Sequence, residues 1–228
     1  MPNWVDTGVT VYAKNKDDLI EFINRSTAGY HIKESTENCK TNLGPMTEEE
    51  EAYKGYFSFG AITGVSDNYS DDWYEESLRI WGTKWEAKGE DGGVSKQDLL
   101  DNIADLTALK KSEWKVATHF RMMTAWSFPE AFWITCSKKF PNLIFSFTAQ
   151  EEGGFFLLAG AVNNNVWCID DIDPDELLKD VEIDENNPYE SWDVMQEEFV
   201  QWMDQTESNN LIRLQQKMEA NNVDAARN

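Results

Sequence analysis

Two histidines, three cysteines and a dense run of carboxylates are the residues of this 228-residue chain with chemistry to offer a substrate or a metal. His31 lies in a polar stretch and His119 among alternating apolar positions, and neither has the neighbouring Cys, Asp or Glu spacing of a triad or a zinc site. A lone histidine in such a setting reads as a packed or surface side chain. The glycine patterns that cradle nucleotide phosphates, G-x-G-x-x-G and the Walker loop, do not occur. The best metal-like spacing is Asp171, Asp173, Asp175 and Glu182, at positions 1, 3, 5 and 12 of a calcium loop. Position six of that loop needs a glycine for its sharp turn, and Glu176 stands there. Asp173-Pro174-Asp175-Glu176 ahead of Leu177-Leu178 is better read as a helix start, with a capping aspartate, a first-turn proline and first-turn acids. No metal, no cofactor and no enzymatic activity is expected; an enzyme would lose its activity on changing His119 or Glu86.

The carboxylates carry a different message. The chain has 42 acidic and 20 basic residues, a net charge of -22. A compact chain of this length has a radius of gyration of about 17 Å, hence a width of about 45 Å. Duplex DNA of that length carries about 26 phosphate charges, a comparable total. No Lys/Arg cluster offers a basic face, so direct binding of nucleic acid is disfavoured and a basic, nucleic-acid-binding partner is the kind attracted. Acidic surfaces also serve solubility. The densest patch runs from 170 to 185, with Asp170, Asp171, Asp173, Asp175, Glu176, Asp180, Glu182, Asp184 and Glu185 against Lys179 alone. Beyond it Trp192, Met195, Phe199, Trp202 and Met203 recur at helical spacing, and after Ser208 so do Leu211, Leu214 and Met218. Two helices are expected there, with a stripe that packs on the domain or suits a dimer or partner interface.

Elements that must position these residues are set by periodicity. A strand over 5–13 and a helix over 15–25 open the chain, and residues 26–55 form a long polar connection with a short helix after Thr47. A strand is expected over 56–63, a helix over 70–81 ending at Gly82, and a capped helix over 95–111. Residues 114–126 alternate as a long strand with one buried face; a helix over 129–140 and strands over 143–150, 155–162 and 166–169 come next. Ten tryptophans and twelve phenylalanines imply a dense core. Cys39, Cys136 and Cys168, odd in number and without a signal peptide, point to free thiols in a reducing cytoplasm. No apolar run approaches the roughly 20 residues that span a bilayer.

Five segments carry a resemblance: Met1-Pro2-Asn3-Trp4, Trp81-Gly82-Thr83-Lys84-Trp85, Thr124-Ala125-Trp126-Ser127, Phe140-Pro141-Asn142-Leu143 and Glu151-Glu152-Gly153. In this order they resemble the YubB-like family of ferredoxin-like proteins from bacteriophages and plasmids. Phe128 and Val5 depart from the family's usual proline and cysteine, and the helix at 95–111 looks like an insertion. The resemblance spans residues 1–169. It implies an α+β fold in which a ferredoxin-like antiparallel sheet carries helices on one face; residues 170–228, outside it, read by their charge and helical spacing as an acidic segment and C-terminal helices. The resemblance also implies a mobile-element origin, and it transfers no catalytic residues.

Charge and resemblance together lead to the expectation of a non-enzymatic interaction protein. It would bind a host nuclease or effector complex, as an anti-defence or anti-CRISPR factor that mimics nucleic acid. The expected contacts are the nine acids from Asp170 to Glu185 with Trp192, Phe199 and Trp202. The alternative is a small-molecule or regulatory binding module in which Trp81, Trp85 and Trp126 line a groove and Lys84 and Glu86 supply polar contacts.

Overall fold

The computed structural model describes residues 3–31, 51–64, 73–87, 93–106, 113–179, 181 and 188–225. In chain order the elements are β1 (Trp4–Ala13), α1 (Lys16–Ser26), β2 (Tyr30–His31), β3 (Glu51–Ala52), α2 (Phe59–Thr63), α3 (Trp73–Trp81), α4 (Lys96–Asp101) and β4 (Ala104–Asp105). The second half holds β5 (Val116–Ala125), α5 (Glu130–Lys139), β6 (Leu143–Glu151), β7 (Leu157–Asn163), β8 (Val166–Ile172), α6 (Pro174–Leu178) and α7 (Pro188–Ala225). The fold is α+β, built on an antiparallel six-stranded sheet in the order β4-β5-β1-β6-β7-β8, with β2 and β3 as a separate pair. Two strand–helix–strand units, β1–α1–β4, with β2, β3 and α2 to α4 inserted between α1 and β4, and β5–α5–β6, interleave in the order β4-β5-β1-β6.

Alternation along the strands divides the sheet into two faces. Val5, Val9 and Val11 of β1, Phe120 and Met122 of β5, and Phe145 and Phe147 of β6 point to the first face. There they meet Leu19, Phe22 and Ile23 of α1 and Phe132, Trp133 and Cys136 of α5. The second face carries a smaller apolar cluster, Trp114, Ile144, Ala161, Cys168 and Leu214, the last supplied by α7. Helices therefore cover both faces, where one covered face was expected.

Four further expectations change. Residues 56–63 do not form a strand: Ser58 caps α2 by accepting the Ala61 N–H, and Gly64, at φ 75°, ends it. The helix expected over 95–111 closes after Asp101, although its capping box between Ser95 and Asp98 is present. The chain turns at Asn102, whose side chain donates to the His119 carbonyl, so that β4 can pair with Val116 and Ala117. β8 runs on to Ile172, opposite Leu157, which puts the expected boundary between 169 and 170 inside a paired strand. Finally, α7 is one helix of 38 residues with Ser208 in its interior. Tertiary packing overrides the weak break signal there, because Phe199, Asn210 and Leu214 are buried on one stripe and hold both halves to the sheet.

Candidate functional site

The tryptophan segments prove to be a joint between elements. Trp81 is wholly buried at the end of α3 and its indole N–H donates to Thr63 Oγ1 at 3.1 Å. Gly82, at φ 80°, takes the chain past the start of α5; a Cβ there would lie 3.2 Å from the backbone nitrogens of Glu130 and Ala131. Thr83 donates to the Ala125 carbonyl and Ser127 to the Gly82 carbonyl, which ties the segment to the end of β5. Glu86 is buried, and its carboxylate accepts the N–H groups of Phe59, Gly60 and Ala87. The first two of those donors are otherwise unpaired amides at the start of α2. Of the expected groove, Trp85 is half-buried 6.0 Å from Trp4 with the Lys84 ammonium over its ring, and Trp126 is 52% exposed at φ 73°. Trp81 and Glu86 are consumed by the fold.

The acidic stretch falls into three settings. Asp170 is half-buried on β8 and paired with Arg213 at 2.6 Å, while Asp171 is exposed on the same strand. Asp173 caps α6 by accepting the Asp175 N–H, and Asp173, Asp175 and Glu176 are all exposed at the end of the sheet. Asp180, Glu182, Asp184 and Glu185 lie outside the described residues, as does the Trp192 side chain. Among the described residues no ion pair engages Asp171, Asp173, Asp175 or Glu176, and none forms a group of three or more potential metal ligands. Phe199 was expected at a partner interface; burial on the protein's own sheet, at 4% exposure, removes it from that role. Trp202 is half-buried and lies in the same groove as Asp170. The two line a groove of about 590 Å³ between α7 and β8, together with Thr206, Asn209, Arg213 and the exposed Ile212.

A polar band on the second face was not foreseen. Ser146, wholly buried on β6, donates to the Glu207 carboxylate of α7. Burial pushes the Glu207 carboxyl above its ordinary value, an effect that Asp204 reinforces and the Ser146 bond opposes. Beside it the Tyr12 hydroxyl is pushed up to about 12, first by burial and then by the Glu207 charge, against a hydrogen bond with Thr10. The Thr10 hydroxyl in turn lies 3.2 Å from His119 Nδ1. Burial, then the Arg121 charge, holds His119 below its ordinary value, and Arg121 forms a two-point pair with Asp6. Thr10 and His119 are a hydroxyl and a base within hydrogen-bond reach, whereas Ser146 anchors a helix in a place no substrate reaches. Sequence alternation held the signal: Thr10, Tyr12, His119 and Ser146 are the positions out of phase with Val9, Val11, Phe120 and Phe145.

Burial also pushes the Cys136 thiol well up, and Cys136 and Cys168 are free and buried; Cys39 lies outside the described residues. Among the described residues no helix is long and apolar enough to cross a membrane. The chain is thus an antiparallel α+β protein with a groove beside Asp170 at one sheet edge and exposed acids along the end of that edge strand and the helix after it. No known protein family, no curated protein and no solved structure matches it.

Proposed function

We propose that this chain is a non-enzymatic interaction protein whose acidic rim binds a basic partner. The observation that carries this reading is the run of exposed acids Asp171, Asp173, Asp175 and Glu176 at the end of edge strand β8, whose second face borders the groove of Asp170, Trp202 and Ile212. Acids that outnumber their basic neighbours raise the encounter rate with a cationic surface, and an aromatic and aliphatic groove nearby supplies contact area that excludes water. In a chain of net charge -22, the same field disfavours nucleic acid itself. The partner class that fits is a nucleic-acid-binding host protein, a nuclease or effector complex, with this chain occupying its nucleic-acid site in the cytoplasm. That is the action of an anti-defence factor, of anti-CRISPR type, from a phage or other mobile element.

A ferredoxin-like core of the YubB-like kind belongs to the same proposal. The order β4-β5-β1-β6 for two interleaved strand–helix–strand units supports it, with β7, β8 and α7 as additions. The experiment is a titration against purified basic nucleases and nucleic-acid-binding effectors at low and high salt, with the native chain and the triple variant D173K/D175K/E176K. Salt-sensitive binding that displaces the partner's DNA or RNA and is lost in the variant is the expected result. Unchanged binding by the variant, or no binding at low salt, overturns the reading.

A further inference from the structure

The sheet ends at β8, and among the described residues no strand pairs with its outer side. Which backbone groups face outward is set by the turn. Asn164 and Asn165, both at positive φ (42° and 66°), make the two-residue connection of the β7–β8 hairpin. In such a hairpin the flanking residues, Asn163 and Val166, exchange both hydrogen bonds, and the pattern alternates from there. Val166, Cys168, Asp170 and Ile172 thus direct N–H and C=O toward β7. Trp167, Ile169 and Asp171 direct theirs away. One of these outward groups is occupied: the Lys217 ammonium donates to the Trp167 carbonyl at 2.9 Å. A lysine over an open edge is a common guard against unwanted pairing. It covers the end of β8 nearest the turn, while Ile169 and Asp171 lie toward the acidic end.

We infer that the edge of β8 accepts an extended, basic peptide segment of the partner as a seventh strand. The inference rests on the acidic-partner reading and specifies how that partner is held. Charge complementarity selects the occupant. A strand beside β8 places its alternate side chains next to exposed Asp171 on the first face, and beside Asp170, Trp202 and Ile212 of the groove on the second. Its end reaches the Asp173, Asp175 and Glu176 carboxylates. Backbone bonds to Ile169 and Asp171 supply affinity without regard to sequence, and lysine or arginine at alternate positions supplies preference. Lys217 leaves the Trp167 carbonyl as the strand zips on, and Arg213, which also lines the groove, stays paired with Asp170, so the basic side chains of the added strand belong on the first face beside Asp171.

The probe is a capped peptide alternating valine with lysine, matched to the 7 residues of β8, titrated at low salt by fluorescence polarisation. Amide hydrogen exchange is measured in parallel. Binding should slow exchange at Ile169 and Asp171, whose N–H groups face outward, and leave Cys168 and Asp170 as they were. Asp171→Pro removes an outward N–H without touching the bonds to β7, whereas Asp171→Thr removes the same charge and keeps the edge. The proline variant should lose about tenfold or more in affinity relative to the threonine variant. Equal affinity of the two variants, unaltered exchange at Ile169 and Asp171 in the saturated native chain, or no binding at low salt overturns the inference. The exchange measurement on the native chain stands even if the proline variant does not fold. Should D173K/D175K/E176K lose the partner while Asp171→Pro keeps it, the acidic reading holds and strand addition alone fails.

Discussion

The two faces of the sheet are built from the same strands and held in different ways. On the first, rings pack against rings: Phe59 and Phe132 lie 4.2 Å apart between centroids, Trp133 and Phe147 4.8 Å, and Phe22 sits edge-on to Phe145 at 5.4 Å. On the second, α7 rests on a narrow apolar seam and is tied by side chains: Glu207 to Ser146, Asn210 to the Ala159 carbonyl, Arg213 to Asp170 and Lys217 to the Trp167 carbonyl. The first arrangement depends mainly on shape, with the buried Glu86 carboxylate at the start of α2 as its charged element. The second depends on charge state and exposure, so the rim near α7 responds to solution conditions that leave the core untouched.

Substitutions can widen or close that difference. Trp133→Ala or Phe132→Ala should have the largest effect, about 3–5 kcal/mol by urea denaturation, with all elements unfolding together. Leu214→Ala opens the thinner face and should cost about 2 kcal/mol, the low end for such truncations because a surface helix can settle; α7 amides should exchange faster while β1 amides do not. Glu207→Gln has an effect whose sign varies with pH. Burial raises the folded carboxyl value, so the contribution of Glu207 is complete at pH below the ordinary carboxyl range and is withdrawn as pH climbs through the raised value. The glutamine variant, neutral throughout, should gain on the native chain over that rise, as urea midpoints across the series will register. It should also lower the Tyr12 ionisation from about 12 in an ultraviolet titration. Arg213→Ala should matter least, within about 1 kcal/mol, since both partners of its ion pair are about half exposed.

Much of the first face was legible in the sequence and little of the second. Alternation from Val116 to Ala125 and the apolar spacing of Leu19, Phe22 and Ile23 specify elements that bury one side, and the helix after Pro129 arises from local chemistry. Residues 56–63 misled because their apolar positions suit a strand or one buried helical turn equally. What decides is the Glu86 carboxylate, 27 residues beyond Phe59 and invisible to any local window. The helix over 95–111 fails for a related reason: Leu106 gives its N–H to the Lys115 carbonyl, a tertiary choice. At the rim, sequence named Phe199 with the acids and Trp202, and Phe199 is buried, because a stripe of apolar residues does not say which surface it meets. Alternation puts Thr10, Tyr12, His119 and Ser146 out of phase with the core positions, but only the strand register and α7 bring them together with Glu207, since the members come from four distant stretches of chain.

The central position of β1 has a consequence for the birth of the molecule. Asp6 finds Arg121 across 115 residues of chain, and Val5 lies opposite both Thr124 and Glu151. At a synthesis rate of about 5–20 residues per second, β1 waits roughly 6 to 23 s for its long neighbour β5. Throughout that interval Val5, Val9 and Val11, all without exposure in the finished protein, are sheltered first by the segment of chain made directly after them. Leu19, Phe22 and Ile23 of α1 are that shelter. A nascent β1–α1 pair is the expected early species, and weakening α1 should reduce the yield of folded chain through aggregation during synthesis more than it reduces the stability of the chain that escapes.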